Sequence, residues 1–133
     1  MYLAGLSPEQ KELFLDLSLF SMESDGIVEA RELTAVKQYC EEMRIPYRTE
    51  KNSDNYQDVL QKLAEITDNT ARKAIAVELV ALMYADEDFA SEEEELLDCL
   101  QKSFGFSSHQ MGEIIFATRH LLLSYTLLAR VVN

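Results

Sequence analysis

Apolar residues recur along this chain at helical spacing, and the breaks between the runs carry caps and turn residues. Leu13, Phe14, Leu17 and Phe20 form one stripe. Ser7-Pro8-Glu9-Gln10 ahead of it supplies an N-cap, a first-turn proline and a capping-box glutamine, which predicts a helix from about Pro8 to Ser24. Asp25-Gly26 breaks it. A second helix from near Glu29 turns Leu33, Val36, Cys40 and Met43 inward, and Ile45-Pro46 ends it because the residue before a proline resists the α conformation. Tyr47 to Asn55 is polar and reads as the main loop. Tyr56, Val59, Leu60, Leu63 and Ile66 mark a third helix. Ala71, Ile75, Leu79, Leu82 and Met83 mark a fourth, capped from Asp68-Asn69-Thr70 and closed by Asp86-Glu87-Asp88. Ser91 with Glu94 opens a fifth helix through Leu96, Leu97 and Leu100, which Gly105 ends. Ser107 with Gln110 opens a last helical stretch to about Val131, with a bend or break expected at Gly112 or in the Thr118–His120 region. No strand pattern occurs. The expected fold is all-α, a compact single domain over residues 1–133 with six to seven helices.

Two of the breaks resemble each other. A shift of 61 residues carries Asp25 onto Asp86, Met22 onto Met83, Val28 onto Phe89 and Glu32 onto Glu93. Further along, Val36 meets Leu97, Met43 meets Phe104 and Ile45 meets Phe106. A correspondence that keeps both acidic and apolar positions reads as an internal duplication, two helix–turn–helix units over about 13–47 and 74–108.

The repeated acids are the chemistry to weigh. Asp25 falls at the C-terminal end of the first helix, where the helix dipole disfavours negative charge by roughly 0.3–1 kcal/mol. Backbone amides of the turn can offset that, and so can a bound cation. Glu32, one turn into the second helix, is placed either to close a capping box or to face Asp25 across the turn. An EF-hand register exists for the first turn only: Ser21, Glu23, Asp25, Val28 and Glu32 fall on its loop positions, but Ser21 stands where an Asp belongs. The second turn offers Leu82 and Tyr84 at ligand positions and fails outright.

Ser24-Asp25-Gly26-Ile27-Val28…Glu32 and Ala85-Asp86-Glu87-Asp88-Phe89…Glu93 together resemble the tellurite-resistance TerB-like family, in which a short acidic turn between amphipathic helices is doubled. The similarity runs from about Leu13 to Ser108. It implies a compact helical domain of duplicated units and an acidic patch suspected of metal binding. It also implies a non-enzymatic role in stress or tellurite response, alongside membrane-associated partners. Carried over residue by residue, the metal-ligating positions would be Asp25, Glu32, Asp86 and Glu93, with Glu29 and Asp88 as additions. Glu87 stands where the family has glycine, which strains a left-handed turn by roughly 1 kcal/mol.

Composition bounds the partners. The formal net charge is −12, from 24 acids against 12 bases, so phosphate is repelled and nucleic acid is not an expected partner. Oxygen-only ligands favour Ca²⁺, Mg²⁺ or Mn²⁺. Cys40, Cys99, His109 and His120 are too scattered for zinc. No nucleophile–histidine arrangement appears, so an enzyme is not expected. The two cysteines read as free, buried, reduced thiols. With no signal-peptide pattern and no uncharged run of spanning length, the expectation is a cytoplasmic protein without a membrane span. Leu121, Leu122, Leu123, Tyr125, Leu127, Leu128 and Val131 surround more than one face of the last helix. They are expected in the core. What the core leaves uncovered would serve a protein partner or a homo-oligomer. Two functions follow: a module whose acidic turns bind a divalent cation or a cationic partner, or an interaction module with structural turns and an apolar docking surface on the last helix.

Overall fold

The helical spacing of the sequence is realised in a computed structural model that describes residues 1–23, 30–84 and 91–133, apart from the side chains of Arg31, Ser91 and Glu92. These residues form six helices and no strand: α1 (Pro8–Glu23), α2 (Ala30–Met43), α3 (Tyr56–Ile66), α4 (Asn69–Tyr84), α5 (Ser91–Phe104) and α6 (Ser108–Val132). Two of them have almost no wet face. In α1, residues 14–19 are all buried, Asp16 and Ser18 among the leucines, and in α4 Ile75, Ala76, Leu79, Val80, Leu82 and Met83 are buried around the helix. A helix apolar on all sides belongs at the centre of a fold, and α1 and α4 pack on each other there. The more amphipathic helices cover them. α2 and α3 lie against α1, α5 and α6 against α4, and α3 also meets α5.

The main core draws Phe14, Leu17, Leu60, Leu63, Ile75, Leu79, Met83, Leu100 and Phe104 from four helices, α1, α3, α4 and α5. A second cluster of Leu15, Leu19, Met22, Val36 and Cys40 with Leu82 joins the α1–α2 pair to α4. Cys40 is buried as expected; Cys99 is only half-buried, and both are free.

The 61-residue shift found in the sequence also carries α1 onto α4 and α2 onto α5 end for end. The caps follow. Lys11 N donates to Ser7 O at 2.9 Å, and Arg72 N to Asp68 O at 2.9 Å. Arg44 takes a left-handed φ of 58°, and its counterpart Gly105 takes 73°. After each, the chain folds back: Ile45 N donates to Cys40 O and Phe106 N to Gln101 O, both at 3.0 Å. This is the hydrogen-bonded left-handed helix ending. It corrects the expectation that Ile45-Pro46 stops the second helix. α2 ends earlier, at Met43, and the cap rather than the proline ends it. Ile45 and Phe106 are thereby returned to the core. Arg44 accepts roughly 1 kcal/mol of backbone strain to do so.

Beyond the caps the two halves part. Residues 44–55 run along α1 to its far end, and α3 then comes back antiparallel to α1. Phe20 near the end of α1 meets Tyr56 at the start of α3, ring centroids 6.1 Å apart, while Gln10 Nε2 donates to Ile66 O at 2.7 Å. Arg48 holds this connection down. Its guanidinium reaches Asp16 Oδ1 at 2.6 Å, Glu50 O at 2.6 Å, Glu12 O at 3.2 Å and Glu12 Oε2 at 3.1 Å. The Asn52 amide adds a 3.0 Å bond to the same Asp16 oxygen, and Lys51 pairs with Glu23.

Between α5 and α6 lie only residues 105–107. α6, opened by the Ser107–Gln110 capping box, therefore turns straight back and runs parallel to α4. It reaches the C-terminal end of α4 at Arg119, whose guanidinium sits 5.0 Å from the Tyr84 ring centroid. α6 is one unbroken helix of 25 residues. The expected bend at Gly112 or near Thr118–His120 is absent, and the Thr118 hydroxyl simply bonds Ile114 O at 2.7 Å.

Asp16 is 2% exposed, so removing its partner strands a charge. Arg48→Met is expected to lower unfolding free energy by about 3–5 kcal/mol in urea titration, and Asp16→Asn/Arg48→Met by clearly less, because the second change removes the stranded charge.

Candidate functional site

Glu32 and Glu93 are each the third residue of their helix, in the first turn of α2 and α5, where the helix dipole favours negative charge. Both are nearly covered, at 6% and 4% exposure, and neither is without a partner. Asp25, Glu29, Asp86 and Asp88, the other four acids of the expected metal set, lie outside the described residues, as do Val28 and Phe89. Among the described residues no three His, Cys, Asp or Glu side chains come together as a metal group would require.

A different pair of acids does converge. Glu42 on α2 and Glu78 on α4 close on the start of the chain. Leu3 N donates to Glu42 Oε2 at 2.6 Å and Tyr2 N to Glu78 Oε1 at 3.0 Å. The Met1 amine lies 2.5 Å from Glu42 and 2.7 Å from Glu78. Leu3 is fully buried beneath them. Tyr39 donates its hydroxyl to Glu78 O at 3.0 Å and stacks edge-on to Phe14, 5.3 Å between centroids. Burial pushes the Tyr39 hydroxyl far up, helped by the charges of Glu78 and Glu42. No spacing in the sequence relates Glu42 to Glu78, which lie on different helices. The clue available was local: Leu3 and Leu6 are apolar residues ahead of the first helix.

The third feature is the outer part of α6. Met111 and Thr118 are buried against α4. Past the end of α4 the side chains of α6 are largely exposed. Leu123 is 55% exposed, Tyr125 58%, Leu128 58% and Val131 82%. This corrects the expectation that these residues serve the core. The reason is geometric, since a helix running parallel to the shorter α4 must overshoot it. Residues 119–132 make a rod about 21 Å long by helical rise. On the outer face Gly112, Ile115, Phe116, Arg119, His120 and Leu123 line an open groove. The His120 ring stacks near Phe116, 4.3 Å between centroids. Among the described residues α6 is also the one helix long and apolar enough to cross a membrane. No continuous uncharged run foretold that, because Arg119 and Arg130 interrupt it. The overhanging rod alone is shorter than the roughly 30 Å hydrocarbon layer.

Compared with protein-family models, with curated proteins and with solved structures, the chain gives no match in any of the three.

Burial alone would raise the Glu42 carboxyl, but hydrogen bonds from the Met1 amine and Leu3 amide outweigh it and hold the group below its ordinary value of 4.5. A depressed carboxylate stabilises the fold above its unfolded pKa and loses that contribution as pH falls through the folded one. Stability followed by thermal melting should therefore drop as pH falls below about 4.5, and Glu42→Gln should remove part of that dependence.

Proposed function

We propose that this chain is a non-enzymatic interaction module of TerB-like organisation, one domain built from two related helix–turn–helix units, and that the overhanging part of α6 is its docking surface. The observation that carries the docking role is the exposure of Leu123, Tyr125, Leu127, Leu128 and Val131 on the part of α6 that runs beyond α4. Apolar surface of this extent has a cost in water unless something covers it. The duplication is supported by the shared 61-residue register of helix bounds, left-handed caps and fold-back bonds. On this reading the protein acts in the cytoplasm by holding a partner, in a stress response of the tellurite-resistance kind. Such a partner can itself be membrane-associated.

A second reading has its own support. Glu32 and Glu93 are buried carboxylates at matching positions, each in the first turn of its helix. We infer a weak site for Ca²⁺, Mg²⁺ or Mn²⁺, or for a cationic partner group, shared by Asp25, Glu32, Asp86 and Glu93, with Glu29 and Asp88 as further ligands.

Two measurements test these readings. Leu123→Ser/Leu128→Ser should leave unfolding free energy, extrapolated to low protein concentration, within about 0.5 kcal/mol of wild type, and should lower binding of a hydrophobic fluorescent dye. A loss of several kcal/mol would return these leucines to the core and end the docking reading. For the turns, millimolar cation should raise the melting temperature of wild type and leave Asp25→Asn/Asp86→Asn unmoved. An equal rise in both, or none in wild type, removes the cation site.

A further inference from the structure

Resting on the docking role of α6, we propose that its occupant is a second copy of this chain, paired through an antiparallel contact between the two α6 helices. The face of α6 turned away from α4 carries Gly112, Phe116, His120, Leu123, Leu127 and Val131, all exposed. Their spacing of four, four, three, four and four residues keeps close to the helix's own period, so the row stays on one side of a straight helix.

The row is complementary to itself when reversed. A twofold axis between His120 and Leu123 sets Gly112 opposite Val131 of the second copy, Phe116 opposite Leu127, and His120 opposite Leu123. Each large side chain then meets a smaller or flatter one. Gly112 suits this place: a Cβ there would meet nothing of its own chain within 4 Å. Its own fold therefore does not require a glycine, although a helical glycine costs roughly 0.5–1 kcal/mol relative to alanine.

Charge selects the same register. In it Glu113 faces Arg130 of the second copy, and the symmetry repeats the pair at the other end. Glu113 is 70% exposed and pairs with the exposed His109, 3.0 Å away. All 24 acids of the chain lie at or before Glu113, while the overhang holds Arg119, His120 and Arg130. An acidic body of this kind is repelled by an anionic lipid surface, whereas a second copy offers the overhang both an apolar row and acids. This favours a protein partner over a membrane.

Sedimentation velocity on the full chain, with flotation on phosphatidylserine-containing vesicles run in parallel, tests the pairing. Wild type should sediment with a concentration-dependent mass rising to twice 15.2 kDa and should not float. Glu113→Arg and Arg130→Glu should each raise the dimer Kd about tenfold, and the double reversal Glu113→Arg/Arg130→Glu should return it to within about threefold of wild type. Gly112→Leu, which favours the helix itself, should also raise Kd about tenfold. A monomer at every concentration, a monomer that floats with the vesicles, or a dimer whose Kd ignores all four variants would each overturn the pairing. The docking role of α6 stands or falls separately, on whether its leucines contribute to the stability of the monomer.

Discussion

The Arg48 guanidinium, wedged between buried Asp16, the Glu12 carboxylate and two backbone carbonyls, determines the course of residues 44–55. A long polar connection laid flat along α1 lets α3 begin at the far end of α1 and return over it. α3 is thereby covered on two sides, by α1 and α5. The other half of the chain has only residues 105–107 at the equivalent point. α6 must start where α5 ends and run parallel to α4, so its surplus length leaves the body. The two halves start alike and finish differently, and connection length is the physical cause.

The consequence for stability is a division of labour. α1 and α4 bury about half of their residues each, including Asp16 and Glu78, whose charges are answered by Arg48 and by the chain start. Breaking one of these pairs strands a charge in a place that water reaches poorly. The outer part of α6 contributes little to this core. Its apolar side chains are free to serve association, which in a homomeric protein closes most simply on a twofold axis.

Much of the fold was legible in the sequence. The stripe of Leu13, Phe14 and Leu17, the Ser7–Gln10 and Ser107–Gln110 boxes and Gly105 placed helices and caps close to where they occur, because these signals are local. The 61-residue register was legible too, and it extends to backbone caps that the sequence did not advertise, since Arg44 does in α2 what Gly105 does in α5. What escaped is non-local. Nothing in periodicity says that Arg48 reaches back to Asp16, or that Glu42 and Glu78 meet at the chain start. The leucines of α6 looked like core because composition cannot tell a helix that has a neighbour from one that has outrun it. Of the acids singled out for chemistry, Glu32 and Glu93 are buried in the first turns of α2 and α5. Their burial is a tertiary property that spacing alone left open.

Residue-level hydrogen–deuterium exchange along α6 tests most directly whether the outer helix is separate from the core. Amides of residues 111–118 are expected to stay protected at every protein concentration. Those of residues 121–131 should exchange fast in dilute solution and slow as concentration rises. Equal, concentration-independent protection along the whole helix would contradict it, because the overhang would then be part of the folded body.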